Sequence, residues 1–249
     1  MACSSRAEKF FKLGQKKIEA RQFLEAVDLL ENSAELEKNN RKWSTTTFEI
    51  ARILRFEIQD YNKALLVYKE MILKSEDVNL RILSQESIAE IYFEHIQDYT
   101  NALKEYLLLE SLLQNDVKLE KTKLKIAQAY KYIGNLDTAL EYIDVALKTV
   151  KNKEHFLNLK AQIFLSQKKY DLALATYQQI YKNNIDFFRA ENLYSSVVMV
   201  FEEKSDYKSA IAYINENKKY ISDQNYLEIR LKRLNEKLIN KPFNKGMRK

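Results

Sequence analysis

A short phrase returns six times along this 249-residue chain: a polar residue, then Tyr, Phe or Leu, two variable residues, and an alanine. It stands at Gln22-Phe23-x-x-Ala26, Asp60-Tyr61-x-x-Ala64, Asp98-Tyr99-x-x-Ala102, Asn135-Leu136-x-x-Ala139, Lys169-Tyr170-x-x-Ala173 and Asp206-Tyr207-x-x-Ala210. The alanines are 38, 38, 37, 34 and 37 residues apart. A fixed period of this length marks a repeat architecture. Each unit is one supersecondary element that buries its apolar face only by stacking on the next.

The unit is helical. Four residues after each alanine comes a large apolar residue: Leu30, Tyr68, Tyr106, Ile143, Tyr177 and Ile214. Positions i and i+4 share a helix face, so the small residue admits a neighbouring helix and the large one fills the space beside it. Asp60, Asp98, Asn135 and Asp206 are of the types that cap helix N-termini. A first helix precedes each phrase, with its small contact residue 12 or 13 positions before the alanine. Gly14, Ala51, Ala89, Ala127 and Ala161 take that role, with Val197 as a poorer sixth. Tyr92, Tyr130 and Phe164 follow three of them at i+3.

Composition agrees. The chain has 3 Gly and 1 Pro, against average usage of roughly 7% and 5%. Sheets and barrels draw on both at their turns. Gly134 stands at a corner, where a helix C-terminus favours glycine. No run of 18 apolar residues exists to span a bilayer as a helix.

These features resemble the tetratricopeptide repeat family over roughly residues 6–218. The small-x-x-aromatic of the first helix, the Ala-x-x-x-Tyr of the second and the pair Leu13-Gly14 carry the resemblance. It implies an all-α, right-handed α-solenoid of about six helical hairpins with a capping helix. Two departures stand out. No repeat ends in proline, and most exceed 34 residues, so extra residues such as Phe56-Glu57-Ile58-Gln59 and Glu94-His95-Ile96-Gln97 lengthen helices or links. The resemblance further implies a non-catalytic scaffold that holds a partner peptide or helix in a groove lined by the first helices. The family's groove positions fall on Gln15, Arg52, Arg55, Glu90, Gln128, Lys131 and Gln162. Arg52 and Arg55, at i,i+3, are either a carboxylate holder or solvated surface arginines. The family's chaperone-tail clamp needs Lys followed four residues later by Asn; Lys12 is followed by Lys16, so that ligand is not expected.

The expected domains are an N-terminal segment 1–5, a repeat array 6–222, a capping helix 223–240 and a basic tail 241–249. Leu227, Leu231, Leu234 and Leu238 form one apolar stripe on the cap, with Arg230, Lys232, Arg233 and Lys237 largely off it. Residues 218–249 hold ten Lys or Arg against three Asp or Glu, a net +7 of a chain total of +6. The near-neutral body argues against an extended nucleic-acid face. The basic segment is a solvated helix face with a charged tail, an attractor for an anionic membrane, or a weak nucleic-acid contact. Phe187, Phe188, Tyr194 and Phe201 are unexplained by the repeat. They form either an exposed patch or a core contact with the cap.

No phosphate-loop, dinucleotide or nucleophile-elbow motif is present, so no enzymatic activity and no cofactor are expected. His95 and His155 lie 60 residues apart without metal-ligand spacing. The single cysteine, Cys3, can form no internal disulfide. Ala2-Cys3-Ser4-Ser5 resembles the junction of a bacterial lipoprotein. On that reading Cys3 is a lipid anchor and the array faces the periplasm; otherwise the chain is a cytoplasmic regulatory adaptor. The partner is another protein, not a small-molecule substrate.

Overall fold

Each phrase starts a helix. The computed structural model describes residues 5–114, 117–221 and 224–240, and among these every regular element is helical. Phe23, Tyr61, Tyr99, Leu136, Tyr170 and Tyr207 are the first residues of six helices. The six alanines and the six residues at i+4 are all buried.

The chain divides into two compact units after Asn135. The first contains α1 (Arg6–Glu19), α2 (Phe23–Leu36), α3 (Asn40–Ile53), α4 (Tyr61–Lys74), α5 (Val78–Glu90), α6 (Tyr99–Leu112) and α7 (Val117–Ile133), each packed on the next. The second contains α8 (Leu136–Ala146), α9 (Lys153–Ser166), α10 (Tyr170–Asn183), α11 (Ile185–Ala190), α12 (Leu193–Glu203), α13 (Tyr207–Asn217) and α14 (Gln224–Ile239).

Close approach explains the small residues. A Cβ on Gly14 would lie 2.8 Å from Leu30 Cδ2 and 2.9 Å from Cγ, so any side chain there would force Leu30 to shift where α1 meets α2. Ala51, Ala89, Ala127 and Ala161 are likewise fully buried on the first helices that follow. Tyr68 fills the space between hairpins in the first unit and packs with Leu30, Ile50, Ala64, Ile88 and Ile91.

The corners obey a single rule. The residue two places before each phrase aromatic or Leu136 has positive φ: Arg21 (56°), Gln59 (62°), Gln97 (59°), Gly134 (94°), Lys168 (59°) and Ser205 (58°). Five of the six are not glycine, although a left-handed backbone costs an L-residue about 1–2 kcal/mol. At four corners the next amide closes the helix by bonding five residues back: Gln22 to Lys17, Asn135 to Tyr130, Lys169 to Phe164 and Asp206 to Phe201. This is the Schellman closure. In the other two, a π-helical turn precedes the corner, Leu54–Ile58 and Ile91–Ile96. The extra residues of those repeats therefore extend the first helix. After the corner, Asp60, Asp98 and Asp206 accept the amides of Lys63, Asn101 and Ser209 at 3.0–3.1 Å.

The sixth hairpin departs from the pattern. Its first helix is broken into α11 and α12 by Asn192 at φ 49°, a conformation asparagine tolerates better than most residues. The four leftover aromatics pack inward here. Phe188 and Tyr194 are buried, and Phe187 and Phe201 lie against the same core as Leu227 and Leu234 of α14. Leu238 is 40% exposed, so the cap's stripe frays at its end. Arg230 corrects the expectation that it lies off the stripe. It is 6% exposed and donates to Glu202 of α12 at 2.5 Å and to the Tyr226 hydroxyl at 3.0 Å. Arg233 reaches the other Glu202 oxygen at 3.1 Å.

No helix among the described residues is long and apolar enough to cross a membrane.

Candidate functional site

In the first unit the first helices carry a chain of charges from one hairpin to the next. Glu86, Glu90 and Glu94 recur at i, i+4 and i+8 along α5 and its π-helical turn, so they share one face. Lys118 and Lys121 of α7 reach Glu86 at 3.3 and 3.8 Å. Lys121 also bonds Glu90 at 3.1 Å, and Lys125 bonds Glu94 at 2.6 Å. From the other side Arg55 donates to Glu90 at 2.9 Å. Arg55 is 6% exposed and its guanidinium lies 4.6 Å from the Phe56 ring. Burial raises the Glu90 pKa, but hydrogen bonds from Arg55 and Lys121 outweigh it and the carboxyl sits below its ordinary value.

Two of the seven expected groove residues, Arg55 and Glu90, are thus brought together and hold each other. Arg52 is exposed and pairs with Glu49 at 2.9 Å. Gln15 is half-buried on α1; Gln128 and Lys131 are half-buried on α7, and burial lowers the Lys131 pKa. Gln162 is half-buried on α9 of the second unit. Cys3 and residues 241–249 lie outside the described residues.

At the start of the array the charges leave a cleft of about 590 Å³ between first helices α1 and α3. Glu8, Phe11 and Lys12 of α1 form one wall, and Arg41, Lys42, Thr45 and Thr46 of α3 the other, with Glu37 and Asn39 between α2 and α3 at the end. Ser33 closes the floor by donating to the Ala7 carbonyl at 2.8 Å. Lys12 is paired with Glu8 at 2.8 Å, whereas Arg41 and Lys42 have no ion-pair partner among the described residues. Sequence reasoning missed this cleft because Arg41 and Lys42 stand at the N-terminal end of α3, more than a turn before the contact residues that anchor the repeat.

The histidines serve as packing. Tyr61 stacks on His95 at 4.4 Å, as Tyr99 stacks on Tyr132 at 4.6 Å, so the phrase aromatic covers the end of the following first helix. His155 meets the Phe187 ring edge-on at 4.8 Å. No metal-binding cluster occurs among the described residues.

The helical hairpins superpose on solved structures of repeat proteins. The fold is that of the tetratricopeptide-repeat proteins. A tetratricopeptide repeat protein from Parabacteroides merdae is 14% identical, with 94% of this chain and 87% of that one covered and a TM-score of 0.64. A putative kinesin light chain from Podosopora anserina with nearly identical repeats of this type is 17% identical over 74% of this chain and 100% of its own, with a TM-score of 0.52. YrrB, a tetratricopeptide-repeat protein with an unusual peptide-binding site, is 11% identical over 76% of this chain and 92% of its own, with a TM-score of 0.53. The sequence matches no protein-family model and no curated protein.

Proposed function

We propose that this tetratricopeptide-fold chain is a non-catalytic interaction scaffold that holds an extended or helical segment of a partner protein along its first-helix face. The observation that carries the reading is the cleft between α1 and α3, with Arg41 and Lys42 left without ion-pair partners beside the apolar ring of Phe11. Two cations without an ion pair, facing Phe11 across the cleft, favour a segment that brings carboxylates, such as an acidic peptide or a chain terminus. Further along, the α5–α7 carboxylates already have lysines, so a ligand there would have to displace internal bonds. Peptide binding by YrrB supports the same reading. Gln15, Arg52, Gln128 and Lys131 extend the contact surface of the first unit, and Gln162 belongs to that of the second.

The test is selection of peptides on the full chain from a display library, followed by the charge variant Arg41→Glu with Lys42→Glu. Acidic ligands that lose binding to the variant, with helicity unchanged by circular dichroism, support the site. Ligands that bind the variant as well as the parent overturn it.

A further inference from the structure

The first two hairpins hold a second groove, between the second helices α2 and α4, with α3 as its floor. It measures about 480 Å³. Trp43, Thr47 and Ile50 of α3 lie at i, i+4 and i+7 and form the base, with Ala34 of α2 and Val67 of α4 beside them. The walls carry Glu31, Glu35 and Glu37 on one side, Glu70 and Lys74 on the other. Lys74 is committed to Glu70 at 2.7 Å.

The charge is out of balance. Asp28, Glu31 and Glu35 stand at i, i+3 and i+7 on one face of α2, a like-charge spacing that destabilises a helix. No described residue forms an ion pair with Glu31 or Glu35. Burial and the neighbouring Asp28 and Glu35 carboxylates raise the Glu31 pKa and outweigh the opposing charge of Lys63 on α4. Thr47 is 4% exposed, and its hydroxyl has no hydrogen-bond partner among the described residues. An apolar floor with an unpaired acidic wall leaves both kinds of contact unanswered.

We propose that this groove binds a basic segment of a partner protein, with a Lys or Arg laid over Trp43 and its charge between Glu31 and Glu35. A cation on an indole face gains from the ring quadrupole, more when water is excluded. Tryptophan beside charge is also the composition of interface hot spots. The acidic wall repels nucleic acid and anionic lipid, which leaves a cationic peptide as the ligand of matching chemistry. The groove meets the α1–α3 cleft at Glu37, which lines both, and takes ligands of the opposite sign.

Trp43 is the chain's one tryptophan, so its emission reports on this groove in the unlabelled full chain. The probe is an arrayed set of nine-residue peptides with Arg or Lys at the central positions, matched to a set with Gln or Glu there. The basic set is expected to shift Trp43 emission, with affinity falling as salt rises. Glu31→Gln with Glu35→Gln is expected to weaken binding by about tenfold and flatten the salt dependence. Glu19→Gln with Glu57→Gln, off the groove, is expected to change neither. Acidic peptides selected by the α1–α3 cleft are expected not to compete, which separates failure of one site from failure of the other. Equal binding of basic and neutral peptides, or unchanged binding by the Glu31/Glu35 variant, overturns the proposal.

Discussion

Arg55 and Glu90, 35 residues apart, meet at 2.9 Å and join the first helix of one hairpin to that of the next. Arg55 is nearly buried, and its Nε has no hydrogen-bond partner among the described residues. Such a pair contributes little compared with a well-packed apolar replacement, yet breaking it leaves a charge stranded.

Arg55→Ala should therefore destabilise the first unit by about 3 kcal/mol, read from the urea midpoint. Glu90 supplies the pH dependence. Its folded pKa is depressed by Arg55 and Lys121 in spite of burial. Its stabilisation is present above the unfolded pKa and is lost as pH falls through the lower folded value. The stability gap between parent and Glu90→Gln should shrink as pH is taken below the ordinary carboxylate range. A gap that is constant down to that acidity would contradict the assignment.

Gly14 and Leu30 make a second pair. Gly14→Ala gains roughly 1 kcal/mol of helix propensity but overpacks a site where the new methyl meets Leu30 below 3 Å, at about 1–3 kcal/mol. The expected net is a loss of about 1 kcal/mol. In a double-mutant cycle, Leu30→Ala should cost measurably less in the alanine background than in the parent, because the methyl enters the space vacated.

The corners offer stabilisation. Gln59→Gly, Lys168→Gly and Ser205→Gly each relieve a left-handed backbone and should raise stability by about 0.5–1 kcal/mol. Gly134→Ala should lower it by a similar amount, since its φ is 94° although the space around it is open. Thermal midpoints of the four single variants check the sign at each corner.

Glu202 anchors the capping helix through both Arg230 and Arg233. Glu202→Ala strands a buried guanidinium and should cost about 3 kcal/mol. Amide hydrogen exchange should show α14 losing protection first, while α1–α6 are unaffected.

The regular part of this fold was legible because it rests on local contacts. Phe23, Tyr61, Tyr99, Leu136, Tyr170 and Tyr207 mark helix starts, since the aspartate caps and the small-to-large pairs act within a few residues. What depends on distant partners was not legible. Arg230 stood off the leucine stripe in the sequence, yet Glu202, 28 residues earlier, draws it inward. The break at Asn192 carries neither Gly nor Pro, and the helices on either side of it place Phe188 and Tyr194 in one aromatic core. For the candidate site, the repeat positions gave helix faces, but which charges cancel was decided across hairpins, as between Glu86 and Lys118.

The shared left-handed corner has an evolutionary consequence. Arg, Gln, Gln, Gly, Lys and Ser occupy that one position in the six repeats, so the left-handed turn is set by backbone geometry and not by side-chain identity. A hairpin of this kind is then free to vary in sequence at its turn while keeping the same left-handed corner. Copies of one ancestral unit can become unrecognisable to each other while still fitting together.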